Sequence, residues 1–208
     1  MSAQDLKTSS AAALPKSAFL AGPRLYLRAL AEGDADGAYP GWFNDAAVCG
    51  GNSHHVFPYT AEAAREYIRE AAQTRSALIL AIVLREGDRH IGNIALQDIH
   101  PIHRAAELSI LIGERDAWGG GLAHEAAVLL MAHGFTALNL RRIACGTFGG
   151  NSAMQKLALR LGMKEEGRRR QAAFKNGIYE DVVEFGILRD EFDAGQPSSN
   201  QPTTKKGI

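Results

Sequence analysis

The segment Arg115-Asp116-Ala117-Trp118-Gly119-Gly120-Gly121-Leu122-Ala123-His124-Glu125-Ala126 constrains the fold most, because three glycines follow a β-like run and open straight into an amphipathic helix. Without a Cβ, glycine lets successive backbone N–H groups turn towards one point. A helix starting there adds unpaired amides and the positive end of its dipole. Strand, glycine turn and helix in that order form an anion cradle of a size to suit a pyrophosphate. Taken alone, a glycine triplet also reads as a plain surface loop.

Charge and composition set the surroundings of that cradle. With 23 basic and 23 acidic residues the chain has no net formal charge, so no long-range field marks it as a binder of nucleic acid or membrane surfaces, and neither partner is expected. A charged ligand must therefore be held locally. At 208 residues and 46% hydrophobic content, one domain over residues 19–192 is expected, with flexible tails over 1–18 and 193–208. Cys49 and Cys145 are far apart and in no ligand spacing, which predicts neither a disulfide framework nor a metal site. A reducing cytoplasm fits best: residues 1–16 carry no signal-type apolar core, and no stretch is long enough to span a bilayer.

Periodicity supplies the element order. Arg24-Leu25-Tyr26-Leu27-Arg28 alternates as a short strand, and Glu32 to Phe43 is a weak helical stretch broken by Gly37 and Pro40. Asn44 to Tyr59 reads as a loop facing a ligand, after which Thr60 caps a helix to about Gln73. Leu78–Leu84, His90–Asp98 and Ala105–Ile112 read as three adjacent antiparallel strands. A helix over 120–136, with Leu122, Ala126, Leu129, Leu130 and His133 on one face, leads to a strand from Arg141 to Phe148. Ser152 with Gln155 forms a capping-box pattern for a helix that Gly162 terminates, and Lys175-Asn176-Gly177-Ile178 is a type I′ hairpin signature.

This order resembles the GNAT superfamily of acetyl-coenzyme-A-dependent N-acetyltransferases over about Arg24 to Phe192. It looks most like the branch of ribosomal-protein N-terminal, spermidine and amino-sugar acetyltransferases. Three pieces carry the likeness: Trp118 to Ala126, then Asn139-Leu140-Arg141-Arg142-Ile143, then Asn151 ahead of Leu161-Gly162-Met163. The fold so implied is mixed α/β, a central, mostly antiparallel sheet splayed at the coenzyme cleft with helices on both faces. The family's cradle reads Q/R-x-x-G-x-G/A, so Asp116 stands where Gln or Arg is usual, and Arg115 beside it is the substitute cation.

By the same resemblance, acetyl-CoA is the co-substrate, held by Arg115, Trp118, Gly119, Gly120, Gly121, Leu122, Ala123 and Asn151. Leu108, Ile110, Leu111 and Ile112 would offer backbone to the pantetheine arm beside a splayed strand, though the same residues also suit an ordinary core strand. Asn151 either donates to the coenzyme or caps the second helix. Acetyl transfer to nitrogen needs a neutral amine, hence a base. Glu107 matches a strand position from which related enzymes present a carboxylate; its alternative is a surface pair with Arg104. Relatives protonate the leaving thiolate from a Tyr or Ser whose positions here are Ala158 and Met154, leaving Tyr179 as a substitute donor or a packing residue.

Candidates for the acceptor pocket are His54, His55, Phe57 and Tyr59 with Asp98, His100 and the nearby His103. No metal is expected there. The acceptor is a primary amine of a small molecule or a protein N-terminus, and the scarcity of acid in the early loop argues mildly against a polyamine. A non-catalytic acyl-CoA sensor and a nucleotide-binding module are the rival readings; assembly as a homodimer is left open.

Overall fold

The computed structural model describes residues 14–195. The tails expected over 1–18 and 193–208 lie outside the described residues except for 14–18 and 193–195. Its strands are β1 (Leu20–Ala21), β2 (Leu25–Ala29), β3 (Leu78–Leu84), β4 (His90–His100), β5 (Ala105–Ile112), β6 (Arg142–Phe148), β7 (Lys164–Lys175) and β8 (Ile178–Leu188). Its helices are α1 (Tyr39–Phe43), α2 (Ala61–Gln73), α3 (Leu122–Thr136), α4 (Ser152–Arg160) and α5 (Arg189–Gly195). All eight strands join one sheet in the order β1-β2-β3-β4-β5-β6-β8-β7.

Every neighbouring pair is antiparallel except β5 and β6. That exception follows from connectivity: α3 crosses over between them, as a parallel pair requires. The two strands pair only at Ala105–Arg142, Ala106–Ile143 and Glu107–Ala144. Beyond that point β5 stays with β4 as far as Ile112, while β6 stays with β8 as far as Phe148. The sheet is thus forked, and Glu107 stands at the crotch.

Alternation along the strands sorts the two faces. Ile94 and Leu96 of β4, and Leu108 with Ile110 of β5, pack into the main core with Ala126, Leu130 and Met131 of α3 and Met154, Leu157 and Ala158 of α4. On the opposite face α1 and α2 bury Tyr39, Trp42, Ala64 and Ile68 in a second cluster that Leu111 joins. Helices therefore cover both faces. Burial on α3 is wider than one stripe, since Ala127, Gly134 and Phe135 are also buried; α4 and α5 enclose sides that a surface helix would leave wet.

Local chemistry explains most boundaries. Thr60 Oγ1 accepts from the Ala63 amide at 3.1 Å and starts α2. Asn176 and Gly177 have φ of 50° and 83°, the left-handed pair that a type I′ turn needs between β7 and β8. Asn151 caps α4 in place of the expected Ser152, with its Oδ1 accepting from Met154 N at 3.1 Å. The expected stretch over Glu32 to Phe43 divides into a 3-10 turn, Glu32–Asp36, and the short α1.

That 3-10 turn is held by a half-buried ion pair. Arg28 donates to both carboxylate oxygens of Asp34 at 2.8 and 2.7 Å, and the Ala31 amide adds a bond of 2.8 Å. Burial by itself would raise the Asp34 pKa, but the Arg28, His90 and Ala31 donors outweigh it and hold the carboxyl well below its usual range. A group depressed in this way stabilises the fold above its unfolded pKa and loses that contribution as pH falls through the folded value. Asp34→Ala should therefore cost about 2 kcal/mol at neutral pH. The gap from wild type, read by chemical denaturation, should narrow below about pH 4, where free carboxylates protonate; a gap independent of pH would contradict this.

Candidate active site

The glycine turn ahead of α3 takes the shape its sequence suggests. Gly119 and Gly121 have φ of 78° and 77°, which an L side chain rarely adopts. Among the described residues, the amides of Gly119, Gly120, Gly121, Leu122, Ala123 and His124 donate to no protein acceptor. Six successive N–H groups are thus available at the positive end of a 15-residue helix.

A side-chain clamp sets their direction. Arg24 Nη1 donates to the Gly120 carbonyl at 2.7 Å, while its Nε reaches Glu125 Oε2 at 2.7 Å. Glu125 in turn accepts from the Arg24 amide at 2.9 Å, tying the start of β2 to the first turn of α3. In a trans peptide the carbonyl and the following N–H point opposite ways. Holding Gly120 O outward therefore aims the Gly121 N–H to the other side.

The flanking charges are disposed of locally. Asp116 faces away to Arg89, at 2.8 Å, so the acid at the family's usual Gln or Arg position adds no repulsion at the turn. Arg115 lies over the Trp118 ring at 5.9 Å and 3.9 Å from Asp45; it does not line the cleft. Trp118 Nε1 donates to the Ile112 carbonyl at 2.9 Å and so closes the end of β5.

Between the arms of the fork lies a cleft of about 560 Å³. Leu108, Ile110, Leu111 and Ile112 line one arm, Gly146 and Thr147 the other, and Trp118, Gly119, Gly121, Leu122 and Ala123 close one end. The Gly120 carbonyl, held by Arg24, borders a second hollow instead. The edge of β5 from Leu108 to Ile112 has no strand partner on this side. Asn151 lines the cleft with both side-chain groups engaged, since its Nδ2 donates to Gly51 O at 3.1 Å while its Oδ1 caps α4.

Glu107 lines the same cleft at the crotch of the fork. The expected alternative, a pair with Arg104, does not form: Arg104 donates to the Asn139 carbonyl and to Asn139 Oδ1, both at 2.7 Å. The Glu107 carboxylate makes neither an ion pair nor a hydrogen bond among the described residues. Strand parity puts Ser109 on its face and, across β6, Gly146 and Glu184. Glu184, paired with Arg169 at 2.7 Å, is acid that reading along the chain does not associate with Glu107.

The remaining candidates lie outside the cleft lining. Tyr179 is 66% exposed at the β7–β8 turn and packs at a tilt against Phe174, ring centroids 4.9 Å apart. His54 lies edge-on to Phe43 at 4.6 Å; desolvation and then the Lys175 ammonium lower its pKa. Tyr59 packs on Phe43 and Tyr39, whereas His55 and Phe57 are exposed. Asp98 and His100 are exposed near the β4–β5 turn, where His100 stacks on His103 at 4.1 Å. The early loop reaches the cleft through Ala47, Val48, Gly51 and Asn52, small residues that no chemical motif distinguishes. Trp42 fixes this side: its ring occupies the space a Cβ on Gly113 would take, and its Nε1 donates to Glu114 at 2.8 Å.

Residues 24–164 match the acetyltransferase (GNAT) domain. The chain belongs to the GNAT acetyltransferase family. It is an N-acetyltransferase that uses acetyl-CoA as co-substrate and an amine as acceptor. An uncharacterised N-acetyltransferase of Bacillus licheniformis is 31% identical over 81% of this chain and 95% of its own length. The spermidine N(1)-acetyltransferase of Escherichia coli K12 is 32% identical over 55% of this chain and 61% of its own. In structure, the acetyltransferase resembles the spermidine N-acetyltransferase of Vibrio cholerae in complex with CoA and spermine, with a TM-score of 0.73, 26% identity, and coverage of 81% and 97% of the two chains.

The residues present fit the coenzyme. A diphosphate would meet unpaired amides, and an extended amide arm would meet an unpaired strand edge. Among the described residues, no group of three or more His, Cys, Asp or Glu is placed to hold a metal ion, and no helix is long and apolar enough to cross a membrane. Loss of the clamp on Gly120 should loosen the amides without unfolding the acetyltransferase. Arg24→Ala should weaken CoA binding, by calorimetry, roughly three- to tenfold, as expected for a charge-assisted hydrogen bond. Unchanged affinity would show that the turn holds its shape without Arg24.

Proposed function

We propose that the enzyme transfers acetyl directly from acetyl-CoA to a primary amine, with Glu107 as the base. The reading rests on one observation above others: an unpartnered carboxylate at the crotch of the fork, in the same cleft as the unpaired β5 edge and the free amides. The bound coenzyme supplies an activated acyl group and a thiol leaving group. An alkyl amine has a pKa of about 10 and an α-amino group about 8, so at neutral pH the acceptor arrives mostly protonated. Glu107 takes that proton directly or through one water.

Direct transfer is favoured because neither thiol can serve as an acyl carrier. Cys49 and Cys145 are fully buried, and burial raises both pKa values, Cys145 to about 12 with further push from Glu107 and Glu184. At the positions from which relatives protonate the departing sulfur, Ala158 and Met154 have no proton to give. Tyr179 lies too far into solvent to be part of this reading. We assign that proton to water entering the open cleft.

Glu107 and Glu184 on one face favour a cationic acceptor over a neutral sugar. Acid thus enters from β5 and β8, whereas the early loop holds little. Polyamines and protein N-termini both qualify. The test is a panel of polyamines, amino sugars and free N-terminal peptides, followed by thiol release. Turnover is expected on a cationic amine, and Glu107→Gln should lose about 100-fold in kcat/KM at neutral pH. The deficit should narrow above about pH 9, where more of the amine is already neutral. A variant that keeps full rate at neutral pH and below would sink the base assignment, and coenzyme binding without turnover on any amine would select the non-catalytic sensor.

A further inference from the structure

A second hollow, of about 780 Å³, lies on the far side of Gly120 and Gly121. Gly121, His124 and Arg160 border both it and the cleft, so the two meet at the glycine turn. Lys156 also lines the cleft, one helical turn before Arg160 on α4, which places both cations on one helix face.

Neither Lys156 nor Arg160 makes an ion pair or hydrogen bond among the described residues. The carboxylates at the hollow are already committed: Glu125 to Arg24, and Glu191 to Lys164 and the Leu188 amide. The α4 segment itself, Ser152–Arg160, contains no acid. In a chain with 23 acidic and 23 basic residues, two neighbouring cations without counter-charge at the end of a ligand cleft ask for an anion.

The glycine turn accounts for the diphosphate of the coenzyme but not for its other charged group. A phosphate monoester on the 3′-oxygen of the ribose carries about −1.5 to −2 charge at neutral pH. It lies one sugar beyond the diphosphate. We propose that Lys156 and Arg160 form a phosphomonoester site that takes this 3′-phosphate, so that the enzyme distinguishes CoA from 3′-dephospho-CoA. Arg160 suits bidentate contact to phosphate oxygens and Lys156 acts as a point charge. Both side chains are exposed, so their removal leaves the core untouched.

The proposal rests on the coenzyme reading, and calorimetry with CoA and 3′-dephospho-CoA separates the two. Wild type should prefer CoA by about tenfold or more, the yield of one charge-assisted contact. Lys156→Ala/Arg160→Ala should reduce that preference to within about twofold, while its affinity for 3′-dephospho-CoA stays near that of wild type. Single variants should each lose part of the preference. Absence of discrimination in wild type, full discrimination in the double variant, or equal losses for both ligands would overturn the site and leave the coenzyme reading intact. Failure of wild type to bind either ligand would overturn both.

Discussion

Hydrogen bonding that the fold leaves undone organises this molecule. A folded chain normally satisfies its buried main-chain donors and acceptors within helices and sheets. Here the sheet forks after Glu107 and Ala144, so one edge of β5 runs unpaired along a cleft, and the glycine turn with the first turn of α3 presents six amides with no protein acceptor among the described residues. Both gaps lie along the same cavity, and both suit one extended ligand with an amide arm and a diphosphate. Because the β5–β6 pairing ends at Glu107 and Ala144, the two arms diverge into an open cleft rather than close into a continuous ladder.

Side chains around the gaps preserve them more than they fill them. Arg24 and Glu125 hold the glycine turn from outside, Asp116 is drawn off by Arg89, and Trp118 finishes β5 through the Ile112 carbonyl. Trp42 braces α1 against Gly113, and the half-buried Arg28–Asp34 pair stiffens the turn that leads into α1. Among the described residues the Glu107 carboxylate at the crotch has no partner, which is why we propose it as the base.

Much of this was legible in the residues. Leu78–Leu84 and Ala105–Ile112 matched their strands because continuous apolar runs bounded by turn residues leave little choice, and Asn176-Gly177 could only be a tight hairpin. The glycine turn was readable because its chemistry is local. What depended on distant partners was not: β1 exists only through pairing with β2, and Glu184 shares a sheet face with Glu107 only through β6. Asn151 rather than Ser152 caps α4, the second of the two roles its residue type allowed, because its Oδ1 accepts from the Met154 amide. In the early loop, conspicuous His and aromatic residues drew attention, whereas Ala47, Val48, Gly51 and Asn52 line the cleft, small residues that let a ligand come close without signalling it.

The central claim is that the free amides of the glycine turn grip the coenzyme diphosphate. Titrating nitrogen-15-labelled protein with CoA and following amide resonances tests it directly. The largest downfield proton shifts should fall on Gly119, Gly120, Gly121, Leu122 and Ala123, and should be absent with pantetheine, which lacks the diphosphate. Saturation with CoA while those five resonances stay in place would contradict the account.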